Sequence, residues 1–344
     1  MNIQTRWAML ALLAVGCDAP EYAYEDDDLG AVEERMIANN GMVLNGMVLN
    51  GMVLNGMVLN GMVLNGMVLN GMVLNGMVLN GMVLNGTVFG AVQEGSNTPV
   101  SGQGLVGAVF IIERTSDNTT YELRIDAISP IPGMPDVNEY TLSARQPGVT
   151  TWESACKDGQ GQAVTAIPIP DATWNEATGA RIERPGAVVF ACRNAALGKC
   201  VSWGYRPWAA ASNRCKSDGS QCQTVDMRDA HQACTRMVRA DFCGNGQTWT
   251  LNGTPLDIFD RFQTRIQDHV SDWGLEAAWT PNGAACVARY RQEGLGVPTC
   301  NGQAPAVCPG MAMHDYWSVD SITNSTWDTM PGLLYTAFPL DTTN

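Results

Sequence analysis

The sequence predicts an α+β domain that is β-rich and stabilised by disulfides, and three observations carry that prediction. Ten of the eleven cysteines lie between Cys156 and Cys308. Apolar runs bounded by turn residues recur between residues 105 and 192, the pattern of short strands. One clear helical period covers Met227 to Phe242, where Ala230, Ala233, Cys234, Met237 and Val238 gather on one face while Asp229, Arg236 and Arg239 fall largely off it.

The first sixteen residues predict export. Arg6 supplies a positive n-region, and Trp7 to Val15 give nine apolar residues. That length suits the core of a signal peptide and falls short of the roughly 20 residues a spanning helix needs. Ala14-Val15-Gly16 then precede Cys17 in the arrangement of a lipobox, which makes Cys17 the lipidated N-terminus of the mature chain. Ordinary cleavage after small residues is the alternative, since alanine stands where a lipobox favours leucine. The expected location is the cell envelope, at the outer membrane or cell surface, with the membrane as a partner through the lipid.

Setting Cys17 aside leaves an even set: Cys156, Cys192, Cys200, Cys215, Cys222, Cys234, Cys243, Cys286, Cys300 and Cys308. Behind an export signal such a set reads as five disulfides, with the pairing open. Structural zinc sites draw on ligand pairs two to four residues apart. No Cys-x-x-Cys is present, so neither a metal nor another cofactor is expected. The net charge of −14 becomes −15 once Arg6 is removed with the signal, which argues against nucleic acid as a partner.

From Cys17 to Arg35 the chain carries eight acidic residues and one arginine, so residues 17–40 read as an extended, solvated tether. Residues 41–85 then repeat Gly-Met-Val-Leu-Asn nine times without error, and the repeat segment runs to residue 90. A five-residue period advances about 140° beyond one helical turn per copy, which spreads asparagine and glycine around every face of a helix. A plain strand fails too, because an odd period flips each residue type to the other face at every copy. A corner in each copy absorbs the odd period, and Asn-Gly is a strong turn signal. The segment thus resembles a pentapeptide-repeat β-solenoid, although methionine and valine occupy positions that such repeats fill with small residues and asparagine or aspartate. A flexible apolar spacer and an assembly-prone strand segment are the alternatives.

Beyond residue 90 the composition is globular, and residues 91–344 are taken as the domain. Strands are expected at Leu105–Ile112 and Thr120–Ile125, joined by Ser116-Asp117-Asn118, and at Glu139–Ala144, Ala163–Ile169 and Gly186–Cys192. A second helix is expected from Ile258 to Val270. Cys234 and Cys243 flank the end of the first helix, which Gly244 marks, and Gly244-Asn245-Gly246 turns into a strand at Thr248–Leu251.

The stretch Cys234-Thr235-Arg236-Met237-Val238-Arg239-Ala240-Asp241-Phe242-Cys243-Gly244 resembles the signature of the ADYC domain, a family of exported bacterial proteins named for an Ala-Asp-Tyr-Cys motif. Phe242 stands in place of the tyrosine, which removes any catalytic role for that hydroxyl. Lys199 to Trp208 and Gly253 to Ile258 agree with the same family, so the resemblance covers about Thr87 to Arg291. It implies export and a common fold, and assigns no reaction.

Two groups of residues are candidates for binding. Arg236, Arg239 and Asp241 place two guanidiniums near a carboxylate, suited either to an acidic ligand or to closing a helix end. Trp203, Tyr205 and Trp208, with Pro207 among them, suit stacking on sugar rings or peptide prolines, or else a tryptophan-rich core. No nucleophile, zincin or phosphate-loop motif surrounds His231, His269 or His314. Asp257 and Asp260 are three apart and would share one helical face, the arrangement of a carboxylate pair for acid/base work. The expected role is therefore non-catalytic, in display, adhesion or binding of a carbohydrate or protein. An exported hydrolase of polysaccharide or cell-wall material is the alternative.

Overall fold

A computed structural model describes residues 37–39, 62–64, 67–74, 77–94, 96–114, 119–175, 177–216, 218–262, 273–313, 318, 322 and 324–339. The signal segment, Cys17, the tether up to residue 36, the turn at 116–118, His269 and His314 lie outside these residues.

Strand β1 (Ile37–Asn39) stands apart from the main sheet. That sheet has eleven strands: β2 (Met62–Leu64), β3 (Met67–Leu74), β4 (Met77–Asn85), β5 (Val88–Gln93), β6 (Pro99–Ser101), β7 (Val109–Arg114), β8 (Thr119–Ile131), β9 (Met134–Arg145), β10 (Glu153–Ser154), β11 (Ala166–Trp174) and β12 (Arg181–Cys192). The order is β12-β11-β9-β8-β7-β3-β4-β5-β6, with β10 beside β9 and β2 beside β3. Every pairing is antiparallel. The strand expected from Leu105 begins at Val109, because Gly102–Leu105 close a 3-10 turn first.

Alternation decides which face is buried. Tyr121, Leu123 and Ile125 of β8 point into the core, and the intervening Glu122 and Arg124 carry ion pairs on the outer face. Phe89, Phe110, Tyr140 and Phe190 meet edge to face or tilted, with ring centroids 5.3–6.3 Å apart. Tyr140 belongs to β9 and Phe89 to β5, strands that are not neighbours in the sheet. The Tyr140 hydroxyl donates to the Thr87 carbonyl at 2.8 Å and accepts from the Phe89 N–H at 3.3 Å. Burial pushes its pKa up to about 12, so the phenol stays a donor at any ordinary pH.

The described repeat copies form antiparallel hairpins, where a solenoid would stack parallel coils. Partner residues are Leu64 with Met67, Leu74 with Met77, and Asn85 with Val88. One dipeptide separates each pair in sequence: Asn65-Gly66, Asn75-Gly76 and Gly86-Thr87. At the last of these, Gly86 takes φ +58°, a conformation that two-residue hairpins demand and that glycine reaches without strain. Between the turns the register shifts by one residue, between Leu69 and Gly71 against β7 and between Asn80 and Val83 against β5. One strand therefore spans parts of two copies, with a bulge near the Asn-Gly it contains, Asn70-Gly71 in β3 and Asn80-Gly81 in β4. The extra residue in the bulge restores the facing that an odd period would lose.

The second layer is a four-stranded sheet of β16 (Asp257–Asp260), β17 (Trp273–Thr280), β18 (Gly283–Val287) and β19 (Leu334–Pro339), in the order β16-β19-β17-β18. Helix α2 (Met227–Val238) packs on one face around Trp279, Leu334 and Phe338. Helix α3 (Asn324–Thr329) places Trp327 against Phe259 and Tyr335 on the other. Helix α1 (Ala196–Ser202) joins the two layers. The small ladders β13 (Ser212–Arg214) with β14 (Gln223–Val225), and β1 with β15 (Asn252–Pro255), complete the fold.

Three local expectations are corrected. Asp257 to Asp260 is a strand, not the start of a helix, because its Ile258 and Phe259 pair with Thr336 and Tyr335 in a sheet that local periodicity does not reveal. Residues 263–270 of that expected helix lie outside the described residues. The segment Thr248–Leu251 is not a strand, and pairing begins at Asn252, where β1 supplies the partner. Residues 37–39, expected within the tether, are that partner.

All ten expected cysteines are paired: Cys156–Cys192, Cys200–Cys234, Cys215–Cys222, Cys243–Cys300 and Cys286–Cys308. The first joins the segment after β9 to the end of β12, and the second joins α1 to α2. The Cys243–Cys300 bridge closes 57 residues, for which chain entropy alone gives about 4 kcal/mol.

With β1 docked on β15 and β2 on β3, residues 40–61 connect two fixed points. Loop closure depends only weakly on length, so deleting two copies from this connection is expected to change stability by about 0.5 kcal/mol. Denaturant unfolding of the shortened chain checks this, and a loss above about 2 kcal/mol would show that those copies carry packing of their own.

Candidate functional site at the end of helix α2

Helix α2 starts at Asp226, whose carboxylate accepts from the Arg228 N–H at 2.9 Å. The apolar face predicted for it is buried. So are His231, Gln232, Thr235 and Arg236, because neighbouring segments cover the helix on its other sides too. Each of these polar residues finds a partner. Gln232 accepts from the Trp174 indole N–H at 2.9 Å and donates to the Gly179 carbonyl at 3.0 Å. His231 contacts the Leu197 carbonyl at 3.1 Å through Nε2, and burial lowers its pKa to about 3.

The helix ends before the predicted Phe242. Ala240 takes φ +49°, the Ala240 N–H donates to the Met237 carbonyl at 3.0 Å, and the Asp241 N–H donates to the Arg236 carbonyl at 2.9 Å. These two bonds define a Schellman motif in which Ala240 occupies the position usually given to glycine. A left-handed alanine costs about 1–2 kcal/mol. Ala240 is fully buried, so its methyl offsets part of that cost by packing.

Asp241, the next residue, is fully buried and charged. Its Oδ2 lies 2.5 Å from Nη1 of Arg236 and accepts from the Gly246 N–H at 2.9 Å, and its Oδ1 accepts from the Asn245 N–H at 3.1 Å. Arg236 also donates to the carbonyls of Thr178 and Pro281, at 2.5 and 3.1 Å. Arg239 donates to Thr248 and to the Gly246 carbonyl, and its burial lowers its pKa. Three loops meet here backbone to backbone. A β-carbon on Gly244 would lie 2.0 Å from the Asn282 carbonyl oxygen, and one on Gly246 would lie 2.2 Å from that of Ala177. The guanidiniums and the carboxylate bond together loops too close for side chains to separate.

The two residues after Asp241 add further ties. Phe242 stacks on Trp279 at 5.2 Å and meets Tyr290 edge-on at 5.4 Å. Cys243 bridges to Cys300. A family model for the ADYC domain matches residues 102–293. The chain belongs to the ADYC domain family. No curated protein and no solved structure matches it. In this ADYC domain Ala240 caps α2 itself, and the other three residues of the signature, Asp241 to Cys243, each fasten the end of α2 to a different part of the fold.

The structure brings Arg236, Arg239 and Asp241 together as the sequence suggested, and orients them toward loop backbone. It divides the aromatic group. Tyr205 is buried, donates to Oδ2 of Asp260 at 2.8 Å and shares one apolar cluster with half-buried Trp203, while half-buried Trp208 packs on another. Asp257 and Asp260, three apart on a strand, point to opposite faces rather than to one. Asp260 also accepts from the Phe262 N–H at 2.8 Å.

Sequence reasoning missed three features. Arg291 and Glu276 form a fully buried pair at 2.8 and 2.9 Å, from which Arg291 caps the Met237 and Val238 carbonyls of α2. Only the tertiary fold brings Arg291 to that helix end. Lys199 is 8 % exposed, its amine has no hydrogen-bond partner among the described residues, and burial lowers its pKa to about 7. Trp152, after β9, lies over the guanidiniums of Arg124 and Arg145, with 4.3 and 4.1 Å from ring centroid to Cζ. Those arginines are held by Asp126 and Glu122, at 2.5 and 2.6 Å, on the outer face of β8 and β9.

Proposed function

We propose that this ADYC protein is a lipid-anchored protein of the bacterial cell envelope that works by binding and display rather than by catalysis, with a carbohydrate or a protein as its ligand. The observation that carries the reading is Trp152, a half-buried indole braced by two paired guanidiniums on the outer face of the main sheet. An aromatic plane beside fixed charges suits stacking on a sugar ring or a peptide proline. The polar residues of the signature support the same reading, since the carboxylate of Asp241 and the guanidinium of Arg236 are engaged in holding loops together. The lipobox at Cys17 and the acidic tether support the location.

Binding of the mature protein to glycan and peptide arrays tests the ligand class. Trp152→Ala is expected to weaken a positive signal at least about ten-fold while leaving the unfolding midpoint nearly unchanged. Trp203→Ala and Trp208→Ala test the aromatic residues named from the sequence. Turnover of a polysaccharide by the wild type, lost in Asp257→Asn, would replace this reading with the hydrolase. For the anchor, intact mass of the membrane-extracted protein is expected to show an acylated chain beginning at Cys17, gaining about ten mass units on reduction as five disulfides take up two hydrogens each. An unacylated chain with another N-terminus would refute the anchor.

A further inference from the structure

The repeat strands β3 and β4 are the bridge of the main sheet. On one side β3 pairs with β7, on the other β4 pairs with β5, and no other described strand joins the two parts. Without the repeats, β5 and β7 would both present open edges, each a row of unpaired backbone groups.

What β7 pairs with is the octapeptide Met67-Val68-Leu69-Asn70-Gly71-Met72-Val73-Leu74. That octapeptide occurs eight times in the chain, starting at Met42 and at every fifth residue through Met77. A shift by one whole copy offers β7 the same residues in the same order. Register is normally pinned by a unique apolar pattern, and a perfect repeat removes that pin. The sequence therefore does not distinguish one copy from another, nor a copy in the same chain from one in a neighbouring chain.

We infer that the repeat strands exchange between molecules, so that the partner of this sheet is a second copy of the chain, whose β3 and β4 fill the place between β7 and β5. The exchanged sheet makes the same pairings as the closed one: Met72 with Phe110, Val73 with Val109, and Leu84 with Phe89. The balance is set by concentration. A chain's own repeat acts at an effective concentration in the millimolar range, so dilute chains close on themselves and crowded chains exchange. This inference does not depend on the ligand-binding role.

The experiment uses the mature chain in two differently tagged forms, unfolded in guanidinium with disulfides intact and refolded together at micromolar and at near-millimolar concentration. The expected result is mixed-tag oligomers whose share grows with refolding concentration, which persist on dilution and are absent when the two forms are refolded apart and then mixed. The contact is located with single variants Val73→Cys and Val109→Cys, co-refolded and treated with a short bifunctional maleimide. Cross-links between the two chains are expected, because these positions are register partners across β3 and β7. Monomers alone at every concentration would overturn the inference, as would mixed oligomers in which Val109→Cys cross-links neither to Val73→Cys nor to the equivalent Val68→Cys or Val78→Cys of the adjacent copies, which place assembly elsewhere. If a cysteine variant fails to fold, the mixed-tag result on the unaltered sequence decides.

Discussion

Asp241→Asn is expected to destabilise the folded protein by about 3–5 kcal/mol, the range for breaking a buried ion pair from one side. The carboxylate balances Arg236 at 2.5 Å and accepts two backbone N–H bonds in the 245–246 turn, with no exposure to solvent. Asparagine keeps an acceptor but not the charge. The buried Arg236 guanidinium would then lose its carboxylate, beside half-buried Arg239 and loops packed at Gly244 and Gly246. Arg236→Met is expected to cost a similar amount, since it strands the Asp241 charge. The double variant Arg236→Met/Asp241→Asn is expected to recover part of the sum, because the two residues act as one unit. Guanidinium unfolding with disulfides intact measures all three. A loss below about 1 kcal/mol for Asp241→Asn would mean that water or relaxation of the turn replaces the pair.

Stability is also expected to rise with pH across most of the accessible range, through two buried bases with lowered pKa values. His231 falls from an ordinary 6.5 to about 3, and Lys199 from 10.5 to about 7, each chiefly through burial. In both cases the folded state gives up the proton more readily, so the unfolded state binds more protons between the two values. Stability then increases with pH. For His231 the window runs from about 3 up to 6.5, and stability is lost as pH falls through it. For Lys199 it runs from about 7 up to 10.5, so stability keeps rising on the alkaline side. Each contributes on the order of 5 kcal/mol over its whole window, at about 1.36 kcal/mol per pH unit. Lys199→Met is expected to stabilise the protein at pH 7 by about 1–3 kcal/mol, the scale of a buried polar group without a partner, and to flatten the slope above pH 7. His231→Phe is expected to unfold later than wild type at pH 4, where the imidazole is neutral in the folded state and gains a proton on unfolding. At pH 8 it should unfold earlier, having lost the contact with the Leu197 carbonyl. A pH profile in which neither variant alters the slope would show that other groups set it.

The candidate site was legible in part. Arg236, Arg239 and Asp241 could be named because they crowd one helix end in sequence, and the two readings offered for them, an acidic ligand or loop closure, differ only in what faces them. That is the backbone of residues 178, 246 and 281, which are remote or lie beyond a turn whose path no local pattern specifies. In the aromatic group, Trp208 parted from Trp203 and Tyr205 for a related reason. The members of the group sit two and three residues apart on irregular chain after α1, so neighbours in sequence need not share a surface. Trp152 carried no signal in the sequence because what frames it, Arg124 and Arg145, comes from two separate strands.

The sequence by itself determined the β-rich disulfide class and the main helix from Met227, although it carried that helix on to Phe242 where the structure ends it at Val238. These rest on periodicity, residue chemistry and cysteine count, all of which are local or additive. Only the tertiary structure decided which cysteines pair, that Asp257 to Asp260 is a strand, that Arg291 and Glu276 cap α2, and that the repeats bridge a sheet. Each of these depends on which distant segments meet. The free energy that selects those meetings comes from burying shared apolar surface and satisfying backbone groups across long loops, a quantity that belongs to the assembled chain and to no single stretch of it.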